Sequence, residues 1–271
     1  MRTRLLGMTM MVALMALANG GGAAAQSGTC PVDSVVSGTV CMDKFEASVW
    51  RVPNAGTNKR LVAKIQQGAA TVADLLSGGA TQLGAPGDDY APCENNGENC
   101  ANDIFAVSLP GVKPATLITW FQAHQACAIA RMRLTTNSEW QAAVVGTPDP
   151  GPDDQTTDCN TTFQSGDDPT PTGSRTSCVS ARGAYDMVGN LQEWVADWLP
   201  RSTSLSGSWG ATISPTGDSQ FMGGAATEGE PGALLRGGSF LSQAGAGPLA
   251  INGYNVTPSV QGFGVGFRCV R

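Results

Sequence analysis

Eight cysteines, all of them beyond residue 25, restrict this chain more than any other feature of its sequence. An even number of cysteines is typical of an exported protein held together by disulfides. The sequence has no CxxC pair and only one histidine, His124. Because zinc sites are built from Cys and His ligands, a zinc site lacks its usual components here.

Spacing alone does not decide how the cysteines pair, since roughly a hundred arrangements are open to eight of them. Proximity along the chain favours three short bridges and leaves two distant cysteines: Cys30–Cys41, Cys93–Cys100 and Cys159–Cys178, with Cys127 and Cys269 remaining. Segments 84–100, 146–160 and 165–174 are rich in Gly, Pro, Asp and Asn, as loops are. The neighbouring cysteines predict that these loops are pinned to the surface.

The N-terminus has the pattern of a signal peptide over residues 1–25. Arg2 and Arg4 precede an apolar run from Leu5 to Ala18, and Ala23–Ala25 suits cleavage before Gln26. A retained membrane anchor is the alternative, but the run is short for a bilayer and glycines 20–22 interrupt it. We therefore expect a secreted or periplasmic protein with no transmembrane span after signal cleavage.

The charge balance narrows the class of partner. The formal net charge is −6, and loss of Arg2 and Arg4 with the leader takes it to −8. An acidic surface repels phosphate backbones, so nucleic acid is excluded as a partner. Cations and uncharged surfaces are the expected contacts, and the sequence leaves an unknown protein or glycan ligand open.

Periodicity predicts three helices, over 60–76, 119–130 and 136–144, with Gly68 weakening the first. Thr119 with Gln122, and Thr136 with Glu139, have the spacing of capping boxes. From about residue 205 the pattern becomes short strands between glycines. We expect one loop-rich α+β domain over 26–271, with no second domain boundary.

Four ordered motifs carry a resemblance to a known family. They are CPVDSVVSGTVCMDKFEASV, TWFQAHQACAIARMRLTTNSEWQAA, GAYDMVGNLQEWVADW, and LRGGSF followed by GFRCVR. Together they resemble the formylglycine-generating enzyme (sulfatase-modifying factor) superfamily. The resemblance implies a variant of the C-type lectin-like fold with little regular secondary structure. It also implies a disulfide between Cys127 and Cys269.

The resemblance places a structural calcium ion in the loop of the third motif. The matching residues are Asp186, Gly189, Asn190 and Glu193. Carboxylate and carbonyl oxygens are the ligands that calcium prefers, and glycine lets the backbone turn. The alternative is that Asp186 and Glu193 pair with Arg236 or Arg268 and no ion is present. Trp194 and Trp198, four residues apart, are interpreted as core.

The catalytic residues of the family are not matched. The resemblance implies two copper-binding cysteines shortly after RGGS, and this chain has Ser242 and Gly247 at those positions. Neither supplies the thiolate that Cu(I) selects. No iron is expected either, because the ergothioneine branch of the family binds iron through histidines and this chain has only His124, interpreted as structural or solvent-facing.

The sequence thus predicts a secreted, non-catalytic pseudoenzyme. It would serve as a binding or envelope-scaffolding module, with segment 240–262 as a surface for protein or glycan. The alternative is a divergent oxidoreductase acting on a protein cysteine.

Overall fold

A computed structural model describes residues 29–164, 166, 169–199, 209–213, 217–224, 231–254 and 256–271. The predicted signal peptide at 1–25 lies outside these residues, and the segment 165–174 is described only in part. In the described part of the chain, no helix is both long enough and apolar enough to cross a membrane.

The strands form three sheets. The first contains β1 (Ser34–Ser37), β2 (Val40–Asp43), β6 (Arg133–Leu134) and β13 (Cys269–Val270); the second contains β3 (Ala47–Arg51), β4 (Thr81–Leu83) and β5 (Ile104–Ser108). The third contains β7 (Gln192–Leu199), β8 (Trp209–Ile213), β9 (Ser219–Gly224), β10 (Gly232–Arg236), β11 (Ile251–Tyr254) and β12 (Val265–Phe267).

The first sheet joins the two ends of the described chain. Its order is β1-β2-β13-β6, with every pair antiparallel, so that Val270 lies between Met42 and Arg133. The second sheet has the order β4-β3-β5, with β3 and β5 fully in register. The third has the order β12-β7-β10-β11-β9-β8 and mixes parallel with antiparallel pairs.

Two of the three predicted helices have their predicted starts. α3 (Trp120–Ile129) begins after Thr119 and α4 (Asn137–Ala143) begins after Thr136, each with a complete capping box. An N-cap of this kind stabilises a helix by about 1 kcal/mol. Both helices are short, so caps are a substantial part of what holds their first turns.

The prediction of one helix over 60–76 was wrong, because two helices occupy this segment. α1 (Lys59–Gln66) ends just before Gly68, whose φ of +69° is left-handed and ends the helical path. α2 (Val72–Ser77) then starts with its own capping box from Thr71. Leu61, Ile65 and Leu75 are buried, whereas Leu76 is exposed.

The buried core extends across all three sheets, and β7 crosses it. Trp194 is fully buried, as predicted, and its indole N–H donates to the carbonyl of Ile118 at 3.0 Å. Trp198 is not core, because it lies near the end of β7 and is 40% exposed. The two tryptophans are four residues apart on the same strand, but the strand leaves the core between them, so Trp194 is buried and Trp198 is exposed.

Four disulfides link the described chain: Cys30–Cys41, Cys93–Cys100, Cys127–Cys269 and Cys159–Cys178. These are the pairs that proximity and the family resemblance favoured. Cys127–Cys269 joins α3 to β13 across 142 residues and is fully buried. With few helices, several small sheets and long loops closed by disulfides, the loop-rich α+β architecture predicted from the sequence is confirmed.

Candidate functional site

The loop before β7 has a backbone that positions polar side chains inward. Asp186, Gly189 and Asn190 have positive φ values of 57°, 72° and 54°. At Gly189 a Cβ atom would lie 2.3 Å from the carbonyl oxygen of Asn160, so a side chain does not fit there. The loop therefore passes close to the segment near Asn160 while Asp186 and Asn190 are buried.

Glu193 is held by protein donors on both oxygens. Its Oε1 accepts from Nε of Arg268 at 2.7 Å, and its Oε2 accepts from the indole N–H of Trp140 at 2.8 Å. Both members of the ion pair are essentially inaccessible to solvent. Burial raises the pKa of Glu193, and the positive charge of Arg268 opposes that shift.

The other predicted ligands are also engaged within the protein. Asp186 Oδ2 accepts from the backbone N–H of Gly173 at 2.6 Å. Asn190 Oδ1 accepts from Asn160 Nδ2 at 3.0 Å and from the backbone N–H of Thr170 at 2.9 Å. These bonds tie the loop to Asn160, Thr170 and Gly173.

Glu46 is a member of this cluster that the sequence analysis missed. It follows β2, 147 residues before Glu193, and accepts from the side-chain amide of Asn190 and from the backbone N–H of Leu191 at 3.0 Å. Burial raises its pKa well above the ordinary value, and the charge of Asp186 adds to the increase. The one available signal was its place in the opening motif, CMDKFEASV.

These contacts do not fit a calcium ion held by Asp186, Gly189, Asn190 and Glu193. A protein-bound calcium ion is coordinated by about six to eight oxygen atoms at roughly 2.3–2.6 Å. Here protein N–H groups already donate hydrogen bonds to both carboxylate oxygens of Glu193 and to Oδ2 of Asp186. Across the described residues, no group of three or more His, Cys, Asp and Glu could hold a metal. The geometry instead matches the alternative in which an arginine pairs with Glu193.

A bound calcium ion and the Arg268–Glu193 ion pair would give the protein different melting behaviour when calcium is removed. We propose that the loop needs no ion, and we expect the same melting temperature with a chelator and with millimolar calcium. A specifically bound ion at about 100 times its dissociation constant would add roughly 2.7 kcal/mol. Differential scanning calorimetry measures this directly. A calcium-dependent increase that Glu193→Gln abolishes would contradict the proposal and restore the calcium site.

Asp43 lies at the edge of the same cluster and is fully buried. Its Oδ2 accepts from the backbone N–H of Cys269 at 2.9 Å, while Oδ1 has no partner. Burial, with a smaller contribution from the charge of Asp33, raises the pKa of Asp43 from 3.8 to about 7. The protonated carboxyl is therefore the form that this environment favours.

The raised pKa of Asp43 predicts a pH dependence of folding stability. Because the folded-state pKa lies above the unfolded one, the stabilisation is complete below about pH 4 and is lost as pH rises through about 7. We expect Asp43→Asn, which keeps the acceptor for Cys269, to flatten the stability profile between these values. Urea unfolding at a series of pH values measures it. Equal slopes for variant and wild type would contradict the assignment.

The two positions matched to copper cysteines are used structurally. Ser242 Oγ accepts from the backbone N–H of Ser239 at 2.9 Å, and a 3-10 turn over Gln243–Gly245 follows. At Gly247 a Cβ atom would lie only 2.2–2.5 Å from the carboxylate of Asp218, which is buried. That carboxylate also accepts from the backbone N–H of Leu249 at 2.6 Å. All eight cysteines are in disulfides, so no thiolate is present to bind Cu(I).

Arg236, the other arginine named as an alternative partner for Glu193, lies opposite Glu193 on β10, but its side chain has other partners. It stacks over the ring of Trp140 at 4.6 Å and donates to Gln141 and to the carbonyl of Pro248. Burial lowers its pKa to about 10, and the charge of Asp218 opposes the shift. A separate cavity of about 200 Å³ is lined by Gln192, Ser219, Leu235, Gly238, Ser242, Gly245, Ala250, Ile251 and Asn252.

The architecture was compared with solved structures. The Major Tropism Determinant P3c variant is 16% identical, with a TM-score of 0.47 over 90% of this chain and 53% of its own. CarF is 16% identical (TM-score 0.40, 86% and 85% covered), and PvdO from Pseudomonas aeruginosa is 19% identical (0.42, 86% and 80%). This chain thus spans about half the length of the Major Tropism Determinant chain. Among curated protein sequences none matches it.

The model of one protein family matches the chain directly. The match extends over residues 91–271, about two thirds of the sequence, and includes α3, the loop before β7 and the RGGS segment. It therefore covers three of the four motifs on which the resemblance was first noted. The chain belongs to the family of the sulfatase-modifying factor enzyme 1-like domain.

Proposed function

We propose that this protein is an exported, non-catalytic member of its family that works as a binding or envelope-scaffolding module. The observation that carries the proposal is the contact at Gly247. The buried carboxylate of Asp218 fills the space into which a side chain at that position would extend. The place matched to a copper ligand has thus become part of the protein's own packing.

The cysteines support export. Four disulfides suit an oxidising compartment, such as the periplasm or the extracellular space, and are rare in the cytosol. They also use every thiol that soft-metal chemistry would need.

The segment predicted as a binding surface does expose apolar side chains. Within 240–262, Leu241, Leu249 and Val260 are 58%, 40% and 40% exposed. Outside the segment, Phe163 and Phe263 are 53% and 48% exposed. The two phenylalanines lie on either side of buried Phe240, with ring centroids at 6.0 and 5.6 Å from it. Apolar groups grouped at a surface are typical of interaction sites, and this supports a binding role.

Restoring the copper ligands tests the packing argument. We expect Ser242→Cys with Gly247→Cys to gain little Cu(I) affinity, because the new Cβ at 247 meets Asp218. Adding Asp218→Gly should relieve the contact and give at least a tenfold stronger affinity, about 1.4 kcal/mol. Competition with a Cu(I) chelator measures the Cu(I) affinity of the wild type, the double variant and the triple variant. Tight binding by the wild type would contradict the proposal.

A further inference from the structure

Four aromatic rings form an exposed surface away from the RGGS segment. Trp120, Phe121 and His124 lie on α3, and Trp198 lies near the end of β7. Trp120 stacks on His124 at 5.2 Å and meets Trp198 edge to face at 5.0 Å, while Phe121 meets Trp198 at 5.9 Å. We call these four residues the aromatic surface.

The aromatic surface holds its rings in fixed positions. The indole N–H of Trp120 donates to the carbonyl of Val195 at 2.8 Å, so that its polar edge is turned inward. Trp198 keeps 40% of its surface exposed, and His124 is exposed. Trp120 is therefore anchored by this bond, while Trp198 and His124 are open to a flat, partly apolar ligand.

A polar groove of about 710 Å³ lies beside this surface. Its lining residues are Asp88, Ala91, Pro92, Cys93, Glu94, Asn95, Asn99 and Gln122. The groove loop is closed by the Cys93–Cys100 disulfide, and its Gly97 packs against Phe121, where a Cβ atom would lie 3.1 Å from the phenylalanine Cβ. Phe121 thus contacts both Gly97 of the groove loop and Trp198, and it links the groove loop to the aromatic surface.

The groove offers neutral hydrogen-bonding groups. Side-chain amides both donate and accept, as sugar hydroxyls do. Asn95 and Asn99 are exposed in the lining, and Gln261 bonds to Asn95 at 3.0 Å and to Asp88 at 2.9 Å. The carboxylate of Glu94 likewise accepts from Asn99 at 2.6 Å. Asp88 and Glu94, the two acidic residues of the lining, therefore each accept a hydrogen bond from a side-chain amide.

The charges favour an uncharged ligand. None of the described residues that line the groove is Lys or Arg. Arg51, which borders it, is engaged with the carbonyls of Tyr90 and Ala91 and with Asp103 at 3.3 Å. A chain of net charge −6 repels sulfated or uronic sugars. Aromatic faces suit the C–H face of a pyranose ring, and the amides suit its hydroxyl edge.

We propose that the aromatic surface and the adjoining groove bind a neutral oligosaccharide, with Trp198 stacking on a sugar ring and Asn95 and Asn99 bonding to its hydroxyls. The proposal rests on the binding role inferred above and adds both a site and a ligand class to it.

Calorimetric titration with cellohexaose, maltohexaose, chitohexaose and mannohexaose tests the proposal. We expect at least one to bind, Trp198→Ala to weaken its binding at least tenfold, and Asn95→Ala to weaken it several-fold. Leu76→Ala is the control, because this apolar side chain is 62% exposed but lies on α2, outside the aromatic surface and the groove, and the variant should bind like the wild type. Melting temperatures identify any variant that fails to fold.

The proposal is overturned if none of the four sugars binds at millimolar concentration, or if Trp198→Ala binds as the wild type does. Binding of a lysine-rich peptide or a sulfated oligosaccharide in place of neutral sugars would overturn the ligand class. These failures leave the non-catalytic role standing, because that role is tested separately by copper affinity and by peptide oxidation.

Discussion

Replacing both Cys127 and Cys269 with alanine is expected to lower the free energy of unfolding by about 5 kcal/mol, the chain-entropy value for a loop of this length. The bridge closes 142 residues and ties α3 to β13, the strand between β2 and β6. The free energy of unfolding of a typical domain is only about 5–15 kcal/mol, so a loss of this size brings the protein near unfolding.

The Cys30–Cys41 bridge is the matched control. It closes only 11 residues at the edge of the first sheet, so its replacement by two alanines should cost about 3 kcal/mol. Urea unfolding with mass mapping of the remaining bridges measures both variants. A loss for the long bridge no greater than for the short one would contradict the entropic account.

Arg268→Met is expected to lower the free energy of unfolding by about 3–5 kcal/mol. Arg268 is fully buried, pairs with Glu193 and donates to the backbone carbonyls of Asp43 and Tyr185. Its removal leaves the carboxylates of Glu193 and Glu46 without its neutralising charge. We therefore expect the loss to shrink at acidic pH, where these groups take up protons.

Two further variants separate buried charge from a general effect of losing an arginine. Arg133→Met breaks an ion pair with Glu139 in which the arginine is 48% exposed, and it should cost about 1 kcal/mol or less. Adding Glu193→Gln to Arg268→Met removes the stranded charge and should recover part of the loss. Equal costs for Arg268→Met and Arg133→Met would contradict the buried-pair account.

The features predicted correctly from the sequence are those decided locally or by a shared motif. The capping boxes at Thr119 and Thr136 depend on residues three positions apart, so their spacing alone indicates them. The break in the first predicted helix was missed because its apolar spacing continues past Gly68, whereas the backbone there is left-handed. Trp198 was assigned to the core because spacing shows which side of a strand a residue is on, not where the core ends.

The candidate site was only partly predictable, because its contacts join distant segments. Glu46 lies 144 residues from Asn190, and Arg268 lies 75 residues from Glu193. Oxygen-rich loops serve calcium and internal hydrogen bonds equally well, so residue types alone do not separate them. No sequence motif indicates the contact between Gly247 and Asp218, because it depends on where the carboxylate of Asp218 is buried in the fold.

The most direct test of the central claim is whether the wild-type protein oxidises a cysteine. A peptide with the sulfatase recognition motif would be incubated with the protein, Cu(I) and O₂, and formylglycine would be measured by mass spectrometry with a catalytically active family member as the positive control. We predict no conversion above the protein-free background, because no thiolate pair is present at Ser242 and Gly247. Conversion that increases with protein concentration would show that the catalytic site lies elsewhere and would contradict the account.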